Sequence, residues 1–188
     1  MKKLTTALLS LLSIFTCCAD KPSAPRLPLS DISYTYGSQM IAFPEFSMRF
    51  FSANDSVFAI VFNIDQIQYS RYLIKQEGVM QRMKQIILDE KMYRYKSSYS
   101  NPHVLDGDGW SFNATFCDDV DDRHQHMEWI SSGGSNKWPG GKGLKRIESA
   151  MKEAMTDAEF LYICDENGHE VSTAPAADDS VSEETSNE

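Results

Sequence analysis

Asp121, His124 and His126, all in one polar run, are of the types and spacing that can hold a transition metal. Two imidazoles two residues apart share a face of an extended strand, and a nearby carboxylate adds an oxygen ligand. Asp122 and His103 lie within reach along the sequence. The chemistry would be metal-assisted hydrolysis. The set is incomplete, because Cys117 and Cys164 have no CxxC partner and no further His stands close by. A charged, solvated hairpin tip accounts for the same residues.

Other chemistries fail on specific positions. An EF-hand loop opening at Asp106 would need an oxygen ligand at Trp110, a glycine at Ser111 and a glutamate at Cys117. Gly140-Gly141-Lys142-Gly143 precedes a helical pattern, but Asn136 and Gly143 occupy positions where a phosphate-binding P-loop requires Gly and Ser or Thr. Ser131, Ser132 and Ser135 have no G-x-S-x-G elbow around them. No catalytic residue is assigned, and no cofactor is expected. Cys117 is either inert packing or one end of a disulfide to Cys164, which an exported setting would permit. Trp138, Asn136 and Trp129 remain as candidate ligand-binding residues: exposed indoles stack on sugars or peptides, and an amide can bond a ligand or a turn.

The elements that would position these residues are legible from periodicity. Ile32, Tyr34 and Tyr36 alternate with polar residues, as do Phe46, Met48 and Phe50, and Val57 to Ile64 is apolar at nearly every position. The three segments predict an antiparallel meander whose third strand is buried on both faces. Helical spacing over Val79, Met80, Met83, Ile86 and Ile87 predicts a first helix. Tyr93, Tyr95 and Tyr99 follow as half-buried residues of a helix exit or edge strand. Trp110, Phe112, Ala114 and Phe116 then alternate strictly, and a polar loop leads to a returning strand with Met127 and Trp129 on one face. A second helix is predicted from Gly143 to Met155, with Leu144, Ile147, Met151 and Ala154 as its apolar stripe. Thr156 to Glu159 has capping-box spacing for a short helix, whereas Phe160 to Ile163 fits a last strand equally well. The expected fold is α+β: a single antiparallel sheet of about five strands with two helices packed on one face.

Composition supports one domain with extensions. The chain has 188 residues, 41% of them hydrophobic, enough for one proper core. A net charge of −9 argues against nucleic acid as a partner. Eight of the 27 acidic residues lie between Asp165 and Glu188, a stretch without Lys or Arg, so most of the net charge sits in the tail.

The N-terminus reads as an export signal. Lys2 and Lys3 precede an apolar run, Leu8 to Phe15, that is shorter than the roughly 20 residues needed to span a bilayer. Ile14-Phe15-Thr16-Cys17 has the form of a lipobox, in which a diacylglycerol is attached to the cysteine sulfur; Cys17, or Cys18 beside it, is the expected lipidation site. The expected division is a lipoprotein signal over 1–17, a Pro-rich tether over 18–30, an α+β domain over 31–165 and a disordered acidic tail over 166–188. The chain is expected to be exported and anchored to a membrane by its N-terminal lipid, in the periplasm or at the cell surface.

Asp108-Gly109-Trp110-Ser111-Phe112, an acidic hairpin, Gly133-Gly134-Ser135-Asn136-Lys137-Trp138-Pro139 and an amphipathic helix together resemble a pattern of small bacterial lipoproteins of the Bacteroides group. The resemblance spans about Ile32 to Ile163. It implies an α+β domain outside the cytoplasmic membrane and carries no activity or catalytic residues with it. The sequence thus favours a non-catalytic binding or assembly module of the envelope, with an envelope protein or a glycan as partner. The alternatives are a metal-dependent hydrolase at the His/Asp tip and glycan or peptidoglycan binding through exposed Trp.

Overall fold

A computed structural model describes residues 22–38, 42–101, 103, 107–118 and 127–171. The chain forms an α+β fold with an eight-stranded sheet and two helices. Strands β1 (Leu29–Ser38), β2 (Phe46–Ala53), β3 (Ser56–Asn63) and β4 (Gln68–Ile74) form an antiparallel meander. Helix α1 (Val79–Asp89) follows, then a single 3₁₀ turn (Met92–Arg94) and the short strand β5 (Ser98–Ser100). Strands β6 (Asp108–Cys117) and β7 (Met127–Ser135) make a long hairpin that pairs through β6 with the free side of β1. Helix α2 (Gly143–Ala154) leads back across to β8 (Glu159–Cys164), which pairs with β4. The strand order is β5-β7-β6-β1-β2-β3-β4-β8.

The sheet has eight strands where the sequence predicts about five, and it is mixed rather than wholly antiparallel, since β5 runs parallel to β7. The further strands, β4, β5 and β8, are weakly marked for physical reasons, although β5 and β8 take up alternatives that the sequence leaves open, an edge strand by Tyr99 and a last strand over Phe160 to Ile163. In β4 both sides carry bulky residues. Tyr69, Arg71 and Leu73 alternate with Ser70, Tyr72 and Ile74, so hydrophobicity does not alternate. Arg71 is held by rings: its guanidinium lies 4.6 Å from the Phe58 centroid, 5.2 Å from Phe51 and 5.6 Å from Tyr162. Its Nη1–H donates to the Tyr162 hydroxyl at 2.8 Å. Strand β5 has three residues, too few for any period. In β8 the capping-box spacing at Thr156 competes with the strand pattern, and pairing with β4 decides for the strand.

The registers set Ile32, Phe50, Ala59 and Ala114 side by side across β1, β2, β3 and β6. These residues belong to one buried cluster that also contains Met83 and Ile87 of α1 and Ile147 and Met151 of α2. The helical stripes read from the sequence are therefore the buried residues of both helices. Ion pairs tie the helices together at the surface, among them a longer one of 3.9 Å from Arg146 to Asp89. Arg82 makes a two-pronged contact with Glu153 at 2.6 and 2.7 Å, and Arg146 meets Glu90 at 2.8 Å.

The Pro-rich segment lies against the domain from Pro25 onward. Pro25 is buried, and the Glu128 carboxylate accepts the backbone N–H groups of Arg26 and Leu27 at 2.7 and 3.2 Å. Lys84 donates to the carbonyls of both residues. Cys117 and Cys164 are both buried and are not joined to each other. They lie five strands apart, roughly 24 Å at the usual strand spacing, whereas a disulfide brings Cα atoms within about 7 Å. Packing is therefore the role that Cys164 takes.

Candidate functional site

A cleft of about 340 Å³ opens where β1 ends and β6 and α2 begin. Strand β1 supplies Tyr34 and Tyr36, whose cross-strand partners on β6 are Phe112 and Trp110. The 3₁₀ turn delivers Tyr95, the loop after β7 delivers Trp138 and Pro139, and the first turns of α2 deliver Leu144, Lys145 and Glu148. Glu45 and Asp108 stand at the rim.

The aromatic wall is continuous. Phe46 stacks on Tyr36 at 5.2 Å, and Tyr36 meets Trp138 edge-on at 6.2 Å. Trp138 in turn stacks on Trp110 at 5.5 Å and 17°, and Trp110 contacts Tyr99 at 5.7 Å. Centroid separations in this range are the favourable ones for ring pairs. The Trp110 Nε1–H donates to the Lys137 carbonyl at 2.8 Å, which fixes the loop just before Trp138. Trp138 is thus held on one side by its neighbours while 40% of it remains exposed.

Glycines make the close approaches behind this wall. A Cβ on Gly107 would lie 1.5 Å from the Asn136 side-chain oxygen, so the Asn136 side chain fills the space above that glycine. Asn136 itself adopts a left-handed φ of 54°, and its N–H donates to the Asp108 carbonyl at 2.8 Å. A Cβ on Gly143, the first residue of α2, would lie 2.6 Å from the Tyr95 hydroxyl, so Tyr95 seats against the start of that helix only because Gly143 is bare.

The charge of the lining is predominantly negative: Glu45, Asp108 and Glu148 against Lys145. The Tyr36 hydroxyl donates to Glu148 at 3.4 Å, and Lys152 bonds the same carboxylate oxygen. Burial raises the Tyr34 phenol above its ordinary range, with Glu148 adding to the effect. Burial, and then Glu148, also raises Tyr36. Burial, then Tyr99 and Glu90, pushes Tyr95 up to about 12. These phenols stay neutral throughout the physiological range.

The sign of the consequence follows from proton counting. A free tyrosine ionises near pH ~10. Below that, folded and unfolded chains both hold the phenolic protons. Above it the unfolded chain loses them first, so stability falls as pH rises from about 10 towards the Tyr95 value of about 12. Urea midpoints across this window are expected to drop with pH in the native chain and to drop less steeply in Tyr95→Phe. Tyrosinate absorbance is expected to lag behind that of the unfolded chain.

Of the residues singled out from the sequence, Trp138 lines the cleft. Asn136 does not line it and lies behind it, against Gly107. Trp129, 73% exposed, sits opposite Thr115 near the other end of the β6–β7 hairpin, roughly 23 Å away along the strand, so the two indoles do not share a site. Asp121, His124 and His126 lie outside the described residues, as does the lipidation site at Cys17 or Cys18. Among the described residues, no group of three His, Cys, Asp or Glu side chains is disposed to hold a metal ion. His103 is exposed next to Asn101, whose N–H bonds the Ser135 carbonyl. It is at the opposite end of the β6–β7 hairpin from Cys117 and Met127, the described residues nearest His124 and His126 in sequence on a strand.

A larger groove of about 540 Å³ runs between the two helices. Its arginines, Arg82 and Arg146, are already engaged by Glu153 and Glu90. It borders the glycine-rich approach to α2, and the remaining cations of its described lining, Lys142 and Lys145, are exposed. Sequence reasoning found Trp138 through its loop and missed Tyr34, Tyr36, Tyr95, Glu45 and Glu148. Tyr34 and Tyr36 registered only as strand alternation, although two hydroxyl-bearing rings on the core side at the end of a strand were a usable signal. Among the described residues, the cleft is lined by rings and carboxylates, with no Ser, Cys or His. Compared with family models, with curated proteins and with solved structures, the chain matches none.

Proposed function

We propose that the chain is a lipid-anchored binding module of the bacterial cell envelope that takes its ligand in the Tyr34–Tyr36–Trp138 cleft. The observation that carries this reading is the cleft itself: a concavity of about 340 Å³ walled by rings and bordered by Glu45, Asp108, Lys145 and Glu148. This is the usual make-up of a small-molecule site. The lipidation motif at Cys17 and the resemblance to small Bacteroides-type lipoproteins support the envelope setting. We further read both helices as covering one face of the sheet, a reading supported by the single buried cluster that joins their stripes to β1, β2, β3 and β6.

The two parts of the proposal support each other geometrically. The chain meets the domain at Pro25 to Leu29, beside Cys117, whereas the cleft lies at the Ser38 and Asp108 end of the same strands. Along β1 the two ends are roughly 30 Å apart. An anchor at the N-terminus would leave the cleft facing away from the membrane.

Metabolic labelling with a palmitate analogue tests the anchor. The native chain is expected to take up label and a variant with both Cys17 and Cys18 changed to Ser to take up none; an unlabelled native chain overturns the anchor. A small-molecule fragment screen followed by amide and indole NMR shifts tests the cleft. Fragment hits are expected to perturb Tyr36, Trp138 and Leu144, and hits that all map elsewhere would refute the site.

A further inference from the structure

Resting on the cleft as the ligand site, we infer that its ligand carries an alkylammonium group. Four rings, those of Tyr34, Tyr36, Tyr95 and Trp138, surround a space bordered by three carboxylates. An ammonium is attracted to the negative face of an aromatic ring, most strongly to indole, and the attraction grows when the site excludes water. The neutral phenols supply ring faces and hydroxyl oxygens without ionising.

Charge argues in the same direction. Glu45, Asp108 and Glu148 outnumber the one cation of the lining, Lys145, and together disfavour a phosphate or carboxylate ligand. The protein already shows the pairing in its own side chains next door. The Lys152 ammonium lies 5.2 Å from the centroid of Phe46, the ring stacked on Tyr36, and bonds the Glu148 carboxylate. A ligand ammonium in the cleft would repeat that arrangement one ring further along, between Tyr36, Trp138 and the other oxygen of Glu148. The volume is at the small end of ligand sites, enough for a head group and a short chain.

The test titrates choline, n-butylammonium and the neutral choline isostere 3,3-dimethyl-1-butanol into the full chain, with the Trp138 indole N–H resonance as the readout. Both cations are expected to shift it saturably, and the isostere to bind at least about tenfold more weakly, the factor that corresponds to about 1.4 kcal/mol. Asp108→Asn and Glu148→Gln are each expected to weaken the cations, and Lys145→Ala to tighten them; circular dichroism checks that each variant is folded. Stronger binding of choline than of n-butylammonium assigns a methylated ammonium, and the reverse assigns a primary amine. Equal binding of the isostere, or a neutral sugar shifting Trp138 where the cations do not, overturns the ammonium and leaves the cleft standing. No shift at the cleft from any charged or neutral probe overturns both.

Discussion

Trp110→Ala is expected to destabilise the protein by about 3–5 kcal/mol, the range for deleting a large buried aromatic side chain. Trp110 is 5% exposed, lies between Tyr99 and Trp138, and bonds the Lys137 carbonyl through its indole N–H. Truncation removes packing on two sides and leaves that carbonyl without its donor. Urea denaturation followed by circular dichroism gives the change, because the fluorescence of the variant would confuse the loss of a Trp with unfolding. Trp110→Phe separates the contributions: it keeps most of the ring contact and loses the hydrogen bond, so it should recover most of the stability. A Trp110→Ala variant that unfolds at the native urea midpoint would show that the Tyr36–Trp138 wall stands without its backing.

Gly134→Ala is the second large effect. Gly134 pairs with Trp110 on one side and with Tyr99 on the other, and its missing side chain lets those two rings meet. An added Cβ would lie 2.4 Å from the Tyr99 carbonyl oxygen, 2.8 Å from the Tyr99 Cβ and 3.0 Å from the Lys137 carbonyl oxygen. Two of the three are backbone atoms, so no side-chain rotation relieves the clash. Either β5 leaves β7 or the Lys137–Trp138 loop moves. The expected cost is about 1–3 kcal/mol, the usual scale for overpacking. Loss of amide protection confined to residues 97–101 would identify β5 as the part that yields, and a native urea midpoint would show that the strands can separate at no cost.

The sequence made the first three strands, the long hairpin and both helices legible because their apolar residues recur at a strand or helix period or, in β3, run almost unbroken. Ile32, Tyr34 and Tyr36, or Ile147 and Met151, announce themselves by period. β4 stayed hidden because Arg71, a charged residue, is packed among Phe51, Phe58 and Tyr162, and no periodicity rule anticipates a guanidinium held by three rings. β5 was legible only as one of two alternatives, a helix exit or an edge strand, because its pairing depends on Gly134, far along the chain. The cleft was only partly legible for the same reason: Tyr34, Tyr95, Asp108, Trp138 and Glu148 come from five separate segments, and only the β1–β6 pairing brings the first of them next to the loop that carries Trp138. The GGSNKWP stretch did stand out, and it has two jobs: Asn136 builds the turn over Gly107, while Trp138 faces the cleft.

An open sheet has two edge strands, and unpaired edges are where separate molecules join into aggregates. At the β8 edge the chain after Cys164 turns back on itself. The Asp165 carboxylate accepts the N–H groups of Asn167 and His169, Cys164 bridges to Glu170, and the Val171 N–H reaches the Ile163 carbonyl at 3.0 Å. Gly168, at a φ of +88°, lets this turn rest on Ile60. At the other edge β5 covers β7 for three residues only and then breaks off. At each margin the chain itself takes up part of the free edge, which shortens the ladder open to a second copy.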